Sequence, residues 1–217
     1  MASREELKAK KEKTSQALIQ AALQHSAENG YASLSLRSVA RKAGIAPTSF
    51  YRHFRDMDEL GLEIVDQATI VLHKCLNEAV GKMLLQTGEC DNPSDNLPII
   101  IEKILSPYLE TFMACFETHN YLMRLFLQER TGSSQALRDR ISLEIDTLTE
   151  ELFQVLEKIN IIIGNRFNDM RVIAETMILF SFHSGLELLA CSGSDRLQQN
   201  EQTSQMLTVF LLGASLV

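Results

Sequence analysis

A short segment that begins at Pro47 carries the side chains best suited to binding another polar molecule. Its hydroxyl, guanidinium and imidazole groups belong to Thr48, Ser49, Tyr51, Arg52 and His53. Such groups donate hydrogen bonds to phosphate oxygens and to the edges of bases. Arg37, slightly earlier in the chain, offers a further guanidinium. These residue types at this spacing indicate contact with nucleic acid.

Two short helices joined by a glycine turn would position these groups. Ser35 is a good N-cap for a helix that reaches Ala43, and Gly44 permits the turn that follows. Pro47 suits the first position of the next helix, which we expect to end near His53. A small apolar core would lock the two helices together: Val39, Ala40, Ala43, Ile45, Phe50 and Phe54. The pattern predicts a helix-turn-helix, in which the second helix enters the major groove of DNA.

Helical periodicity continues along the rest of the chain, and no segment alternates like a strand. We expect a first helix from Ser3, as N-cap, to Asn29 and a long helix opening at Asp56 with Glu59 as a capping partner. A polar loop at 87–96 would precede five further helices, at roughly 98–118, 120–131, 134–159, 168–191 and 195–216. The prediction is an all-α protein. Residues 1–56 would form the DNA-binding head, and residues 57–217 a helical body for effector binding and dimerisation.

Charge is distributed unevenly between these two parts. The whole chain has 217 residues and a formal net charge of −7, which by itself argues against a nucleic-acid-binding protein. Residues 1–60, however, hold ten Lys and Arg against seven Asp and Glu. A basic head on an acidic body suits a protein that meets phosphates with one end only.

Several other classes of protein find little support. The five histidines show no metal-ligand spacing, and the four cysteines (Cys75, Cys90, Cys115 and Cys191) match no zinc or redox pattern. We expect reduced, mostly buried thiols, no metal, no cofactor and no enzymatic activity. Glu129 and Arg130 would form a surface or pocket-mouth pair rather than a catalytic one. We identify no secretory signal and no apolar run that would span a bilayer, so a cytoplasmic protein is expected.

Two features of the body predict its roles. The helix at 168–191 is apolar on nearly all faces, so a partner subunit could cover one side; burial within one chain is the alternative. The candidate interface residues are Phe182, Leu186, Leu189, Leu207, Phe210 and Leu211. Aromatic and methionine side chains could line an adaptable apolar effector pocket, with plain core packing as the alternative. The candidate pocket residues are Phe112, Phe116, Met123, Phe126, Met177 and Phe180.

The segment V-A-R-K-A-G-I (39–45), followed by Y-R-H-F (51–54) and an acidic-leucine helix start, resembles the TetR family of repressors. The resemblance implies a homodimer that places one recognition helix in each half of a palindromic operator in double-stranded DNA. It also implies that Tyr51 and His53 contact phosphates and that Arg37, Thr48, Ser49 and Arg52 lie near bases or backbone. Lysines of the first helix, including Lys8 and Lys11, would bind flanking phosphates. One departure is Ala46, where the family often has a serine or threonine N-cap.

A narrower resemblance concerns the target genes. The stretch from Ala46 to Leu62 and the segment R-L-F-L-Q-E-R-T-G-S-S (124–134) look like the TetR-family repressors of unsaturated fatty-acid synthesis, of the FabR and DesT type. The implied effector is a long-chain acyl thioester, on coenzyme A or acyl carrier protein. A repressor of an efflux or other operon that responds to a different lipophilic molecule is the alternative.

Overall fold

The structure, a computed structural model, describes residues 4–88, 96–190 and 195–216. Nine α-helices occur within these ranges: α1 Arg4–Asn29, α2 Leu36–Lys42, α3 Pro47–Phe50, α4 Met57–Gly88, α5 Leu97–Thr118, α6 Asn120–Glu129, α7 Gln135–Ile162, α8 Met170–Ala190 and α9 Asp195–Ala214. A 3₁₀ turn at Tyr31–Ser33 links α1 to α2, and the described residues contain no strand. The all-α prediction is confirmed. The predicted N-cap Ser3 lies outside the described residues, as do Cys90 and Cys191.

Among the helix ends that differ from the prediction are those of α3 and α4. α3 ends at Phe50, because the next backbone N–H groups, of Arg52 and His53, bond three residues back, to Ser49 and Phe50. Such i→i+3 bonds wind the chain more tightly than an α-helix. α4 continues to Gly88, so Thr87 is helical and buried rather than part of a loop.

The chain divides into two compact units. The head unit combines Met1–Ala68 with Tyr121–Ser142, and the body unit combines Thr69–Asn120 with Leu143–Val217. α4 is one continuous helix that contributes to both. The structural division therefore differs from the predicted boundary after residue 56, and the assignment of functions to 1–56 and 57–217 stays a prediction.

A buried tyrosine organises the head unit. Tyr31 is 7% exposed, and its hydroxyl donates a hydrogen bond of 2.5 Å to the backbone oxygen of Met57, in the first turn of α4. Burial raises the pKa of this phenol, and Asp58 and Glu129 raise it further. The close approach depends on Gly61, since a Cβ there would lie 2.6 Å from Tyr31 Oη and 3.0 Å from Leu137 Cδ1. Tyr31 thus holds the segment that follows α1 against the first turns of α4.

Glu129 corrects one sequence-based expectation. Its side chain is 5% exposed, and burial raises the pKa of its carboxyl group. Its Oε2 atom has no hydrogen-bond partner among the described residues. Glu129 is therefore buried within the protein rather than on its surface.

Aromatic side chains fill the core of the body unit, where α5, α8 and α9 pack together. Tyr108, Phe112, Phe116 and Phe182 follow one another with ring centroids 4.7–6.3 Å apart. Phe116 packs directly on the backbone of α8, because a Cβ at Gly185 would lie 2.5 Å from Phe116 Cε2. This close contact at Gly185 lies within one chain.

α8 is buried on part of its surface only. It is the one helix among the described residues that is long and apolar enough to cross a membrane by length and composition, and half of its most apolar window is buried inside the protein. The same test is passed by core helices of proteins outside membranes. Val172 and Leu179 remain about half exposed on its outer side.

Candidate nucleic-acid interface

The first helix of the predicted motif begins as the sequence indicates. Ser35 is the N-cap of α2: its Oγ accepts a hydrogen bond from the backbone N–H of Ser38 at 3.1 Å, and the backbone N–H of Ser35 donates to Ser38 Oγ at 3.0 Å. This reciprocal pair satisfies two donors that a helix start otherwise leaves open. Sequence reasoning identified Ser35 but missed Ser38, because the usual partner at that position is Glu or Gln.

The turn between the two helices depends on glycine. Gly44 has φ 72°, a left-handed conformation that costs glycine little and other residues more. The N–H of Ile45 then donates to the backbone oxygen of Ala40 at 3.0 Å, which closes the end of α2. Both observations agree with the helix-turn-helix that the spacing predicts.

α3 starts with Pro47 and is anchored by one aromatic side chain. Ala46 is its N-cap and supplies no side-chain hydrogen bond, as expected from the sequence. Phe50 is fully buried, with ring centroids 5.8 Å from Phe54 and 6.1 Å from Tyr51. Since Phe50 is held in the core, the neighbouring Tyr51 is directed outward and is 65% exposed.

The predicted DNA-contacting residues lie at the surface of the head unit. The exposed ones are Lys8, Lys11, Arg37, Pro47, Thr48, Tyr51 and Arg52, while Ser49 and His53 are partly buried. Exposure leaves these polar groups available to a partner, as a nucleic-acid interface requires. The base or phosphate that each would contact stays a prediction.

His53 lies near positive charges from two segments of the head unit. Burial lowers the pKa of its imidazole, and the positive charges of Lys11 and Arg52 lower it further. The side chain of Lys11 is therefore close enough to influence the turn that follows α3. His53 Nδ1 is shielded from solvent and has no hydrogen-bond partner among the described residues. Two exposed cations thus lie near this imidazole, which suits the attraction of phosphate groups.

The predicted effector-pocket residues do not all belong to one unit. Met123 and Phe126 are fully buried in the head unit, whereas Phe112, Phe116, Met177 and Phe180 belong to the body unit. Met177 lines an apolar cavity of about 10 Å³, beside Met170, Phe167 and Leu156. That volume is roughly the space of one water molecule. The grouping of all six residues into one pocket stays a prediction.

A larger groove lies between α5 and α9, in the body unit. It measures about 490 Å³ and combines apolar residues (Leu105, Leu109 and Met113) with carboxylates (Glu102, Glu110 and Glu201). No lysine or arginine is among the residues described along its walls. Sequence reasoning missed this groove, because its two walls are far apart in the chain and neither carries a motif.

Three of the predicted dimer residues are buried within a single chain: Phe182, Leu207 and Leu211 are at most 2% exposed. Their place in a dimer interface stays a prediction. Leu186, Leu189 and Phe210 are partly exposed. The apolar side chains that α8 and α9 do expose are Val172, Leu179, Met206 and Val209, at 46–69%. Val172, Val209 and Phe210 also line a groove of about 520 Å³.

Comparison with known families adds independent information on the head unit. Residues 18–64 match the model of the bacterial regulatory proteins of the tetR family. The match includes most of α1, all of α2 and α3 with the glycine turn, and the start of α4.

Solved structures resemble this chain over nearly its whole length. FadR, a fatty acid degradation regulator from Bacillus halodurans, is 18% identical, with 90% of this chain and 94% of that chain covered and a TM-score of 0.62. The regulatory protein TetR from Rhodobacter sphaeroides is 17% identical, with 89% and 96% covered and a TM-score of 0.63. A TetR-like transcriptional regulator from Rhodococcus sp. RHA1 is 19% identical, with 92% and 96% covered and a TM-score of 0.65. At these identities the likeness concerns the fold.

Proposed function

We propose that this chain is a TetR-family DNA-binding transcriptional regulator, and that it is a homodimeric repressor that controls genes of unsaturated fatty-acid synthesis in response to a long-chain acyl thioester. TetR-family members are DNA-binding proteins rather than enzymes, and they act as dimers on operator DNA.

The observation that carries the DNA-binding role is the exposed polar face of the recognition segment. Thr48 on α3, and Tyr51 and Arg52 in the turn that follows it, are exposed beside the buried Phe50. Lys11 adds positive charge near this turn. Arg37, Thr48, Ser49 and Arg52 would read base edges or adjacent backbone, while Tyr51, His53, Lys8 and Lys11 would bind phosphates. A side chain that bonds to a phosphate positions the protein, and one that bonds to a base edge specifies the sequence.

The fatty-acid assignment has two lines of support. The sequence segments 46–62 and 124–134 resemble repressors of unsaturated fatty-acid synthesis, and FadR, with the same fold, is named as a regulator of fatty acid degradation. The aromatic core and the methionine-lined cavity of the body unit offer apolar surroundings for an acyl chain. That cavity measures only about 10 Å³, so an acyl chain would enter by displacing flexible side chains such as Met170 and Met177.

The dimer interface would use the exposed apolar side chains of α8 and α9. Val172 and Leu179 on α8, with Met206 and Val209 on α9, lie on two helices that pack against each other. Burial of these side chains against their copies would form a four-helix bundle with two-fold symmetry. The two recognition helices would then lie about 34–36 Å apart, one turn of DNA.

The effector would favour one conformation of the protein and operator DNA another, so that binding of one would oppose binding of the other. A ligand shifts such an equilibrium only as far as its affinities for the two states differ. Saturated and unsaturated acyl chains differ in shape, so they could shift it in opposite directions.

Fluorescence anisotropy with a labelled palindrome from the gene's own upstream region tests the proposal. Palmitoyl-coenzyme A and oleoyl-coenzyme A would be titrated into the protein–DNA complex at fixed salt, with free coenzyme A as the control. We expect the two acyl chains to change DNA affinity to different extents. An unchanged affinity with both, while the palindrome still binds, would refute lipid control and leave the DNA-binding role intact.

One observation favours a second effector class. The α5–α9 groove has three carboxylates beside apolar residues and no cation among its described walls. Such a lining attracts a lipophilic organic cation and repels the phosphates of coenzyme A. The same anisotropy experiment with a lipophilic cationic dye distinguishes the two: release of DNA by the dye alone would support a repressor of an efflux-type operon.

A further inference from the structure

Two cysteines that the proposed function leaves unused face one groove of the body unit. Cys75 on α4 and Cys115 on α5 both line a groove of about 340 Å³. Cys75 is partly exposed and Cys115 is buried, and both thiols are free. Both side chains line this one groove, close enough for each thiol to influence the pKa of the other. Two thiols on α4 and α5 therefore face the same space, and one of them is open to small molecules.

The surroundings make the two thiols chemically different. The hydrogen bond from Cys115 lowers the pKa of Cys75, and the charge of Lys74 lowers it further, against the opposing effects of burial and Glu78. The hydrogen bond to Cys75, together with burial, raises the pKa of Cys115. Because the thiolate is the reactive form, Cys75 is the nucleophile of the pair and Cys115 keeps its proton.

We propose that Cys75 and Cys115 form an oxidant-sensitive pair, in which a hydroperoxide oxidises Cys75 and Cys115 then closes a disulfide between α4 and α5. This inference concerns the thiol chemistry and is independent of the effector and target genes proposed above.

The reaction balances in two steps. The Cys75 thiolate attacks one peroxide oxygen, the O–O bond breaks, and the other oxygen leaves as an alkoxide that takes a proton and becomes an alcohol. Cys75 is then a sulfenic acid. The Cys115 sulfur attacks the Cys75 sulfur, the S–O bond breaks, and the hydroxyl leaves as water with the proton of Cys115. The two thiols lose two electrons and the hydroperoxide gains them.

Disulfide formation requires the two sulfurs, which face one groove, to approach to about 2.05 Å. The partly exposed Cys75 admits the oxidant, and the buried Cys115 lies next to the sulfenic acid once it forms. The product would fix α4 to α5 covalently, whereas in the reduced protein no covalent bond joins these two cysteines.

The test uses the full chain with Cys90 and Cys191 replaced by serine, so that one pair of thiols remains. The protein is treated with cumene hydroperoxide, free thiols are alkylated, and peptides are mapped by mass spectrometry. We expect loss of both thiols, a cross-linked Cys75–Cys115 peptide, and recovery of both thiols with dithiothreitol. The same treatment of the unsubstituted chain should give the same cross-link, which excludes an artefact of the background. Thiols that stay alkylatable would overturn the proposal.

Single variants assign the two roles. In Cys115→Ala, Cys75 should accumulate as a sulfenic acid that dimedone traps, and in Cys75→Ser, Cys115 should remain a thiol. Lys74→Gln should slow oxidation by about two- to fivefold, because it removes a charge that favours the thiolate. The exposed Lys158 on α7 provides the matched control, and Lys158→Gln should leave the rate unchanged. Equal oxidation of Cys115 with and without Cys75 would contradict the assigned order.

A DNA-binding measurement on the same samples keeps this inference separate from the proposed function. Failure of the reduced protein to bind DNA would refute the proposed function and leave the thiol chemistry standing. Failure of the disulfide to form in a protein that binds DNA would refute the thiol pair alone.

Discussion

Replacement of Gly61 by alanine should destabilise the protein, although alanine is the better helix former. The new Cβ would lie 2.6 Å from Tyr31 Oη and 3.0 Å from two carbons of Leu137. Tyr31 is buried and its hydroxyl is already bonded to Met57, so it cannot move without loss of that bond.

Three contributions set the size of the effect. Insertion of a methyl group into a packed site costs about 1–3 kcal/mol. Loss of the Tyr31–Met57 hydrogen bond adds about 1 kcal/mol, while the Gly-to-Ala change within a helix returns about 0.5–1 kcal/mol. The free energy of unfolding should therefore fall by about 1–3.5 kcal/mol. For a chain of this length that corresponds to a fall in Tm of about 2–14 °C.

Gly81 provides a matched control on the same helix. It is exposed on α4, and a Cβ there would meet nothing within 4 Å. Gly81→Ala should raise the free energy of unfolding by about 0.5–1 kcal/mol. Urea and thermal unfolding followed by circular dichroism would measure both variants.

A double-mutant cycle identifies the contact responsible. Tyr31→Phe removes the atom nearest to the new Cβ, so Gly61→Ala should cost about 1 kcal/mol less in the Tyr31→Phe background than in the wild type. The reasoning fails if Gly61→Ala stabilises the protein as Gly81→Ala does, or if the substitutions of Gly61 and Tyr31 are simply additive.

Four further predictions concern DNA binding and assembly. Tyr51→Phe should weaken binding to all DNA sequences to a similar extent, because the lost hydroxyl would bond to a phosphate; equal affinity of mutant and wild type in a gel shift at fixed salt would refute this. Arg37→Ala should relax specificity at one base pair of each half-site, and an unchanged sequence preference after selection from a random library would count against it. Burial lowers the pKa of His53 in the free protein, and a nearby phosphate would raise that pKa in the complex. DNA binding would then take up a proton, so affinity should rise as the pH falls; an unchanged rise in His53→Gln, in an anisotropy titration across pH, would contradict this. Val209→Glu should give monomers in light scattering while Ile161→Glu, equally exposed at 69% on α7, stays dimeric; a dimer in both variants would place the interface elsewhere.

Local signals were enough to predict the helix-turn-helix. Gly44 has the left-handed backbone that its place in the sequence suggested, Pro47 starts a helix, and Ser35 caps one. Each of these features depends on a few consecutive residues, so a single sequence contains the necessary information.

Features that depend on distant residues could not be predicted in the same way. Tyr31 contacts Met57 and Gly61, which lie far from it in the chain. Nothing in the local sequence around Met57 or Gly61 marks them as its partners. Glu129 looked like a surface residue because a charged side chain is seldom fully buried. α8 is apolar on nearly all faces, so its periodicity could not distinguish Phe182, which is buried, from Leu179, which is exposed.

Because α4 is long, even a small tilt of this helix moves its far end by a distance that matters for hydrogen bonding. At about 1.5 Å per residue, its 32 residues make a rod of about 48 Å. A tilt of about 5° about one end of such a rod displaces the other end by about 4 Å, more than the whole donor–acceptor distance of a hydrogen bond. A rotation too slight to break the packing at one end of this helix is therefore large enough to misalign groups at the other.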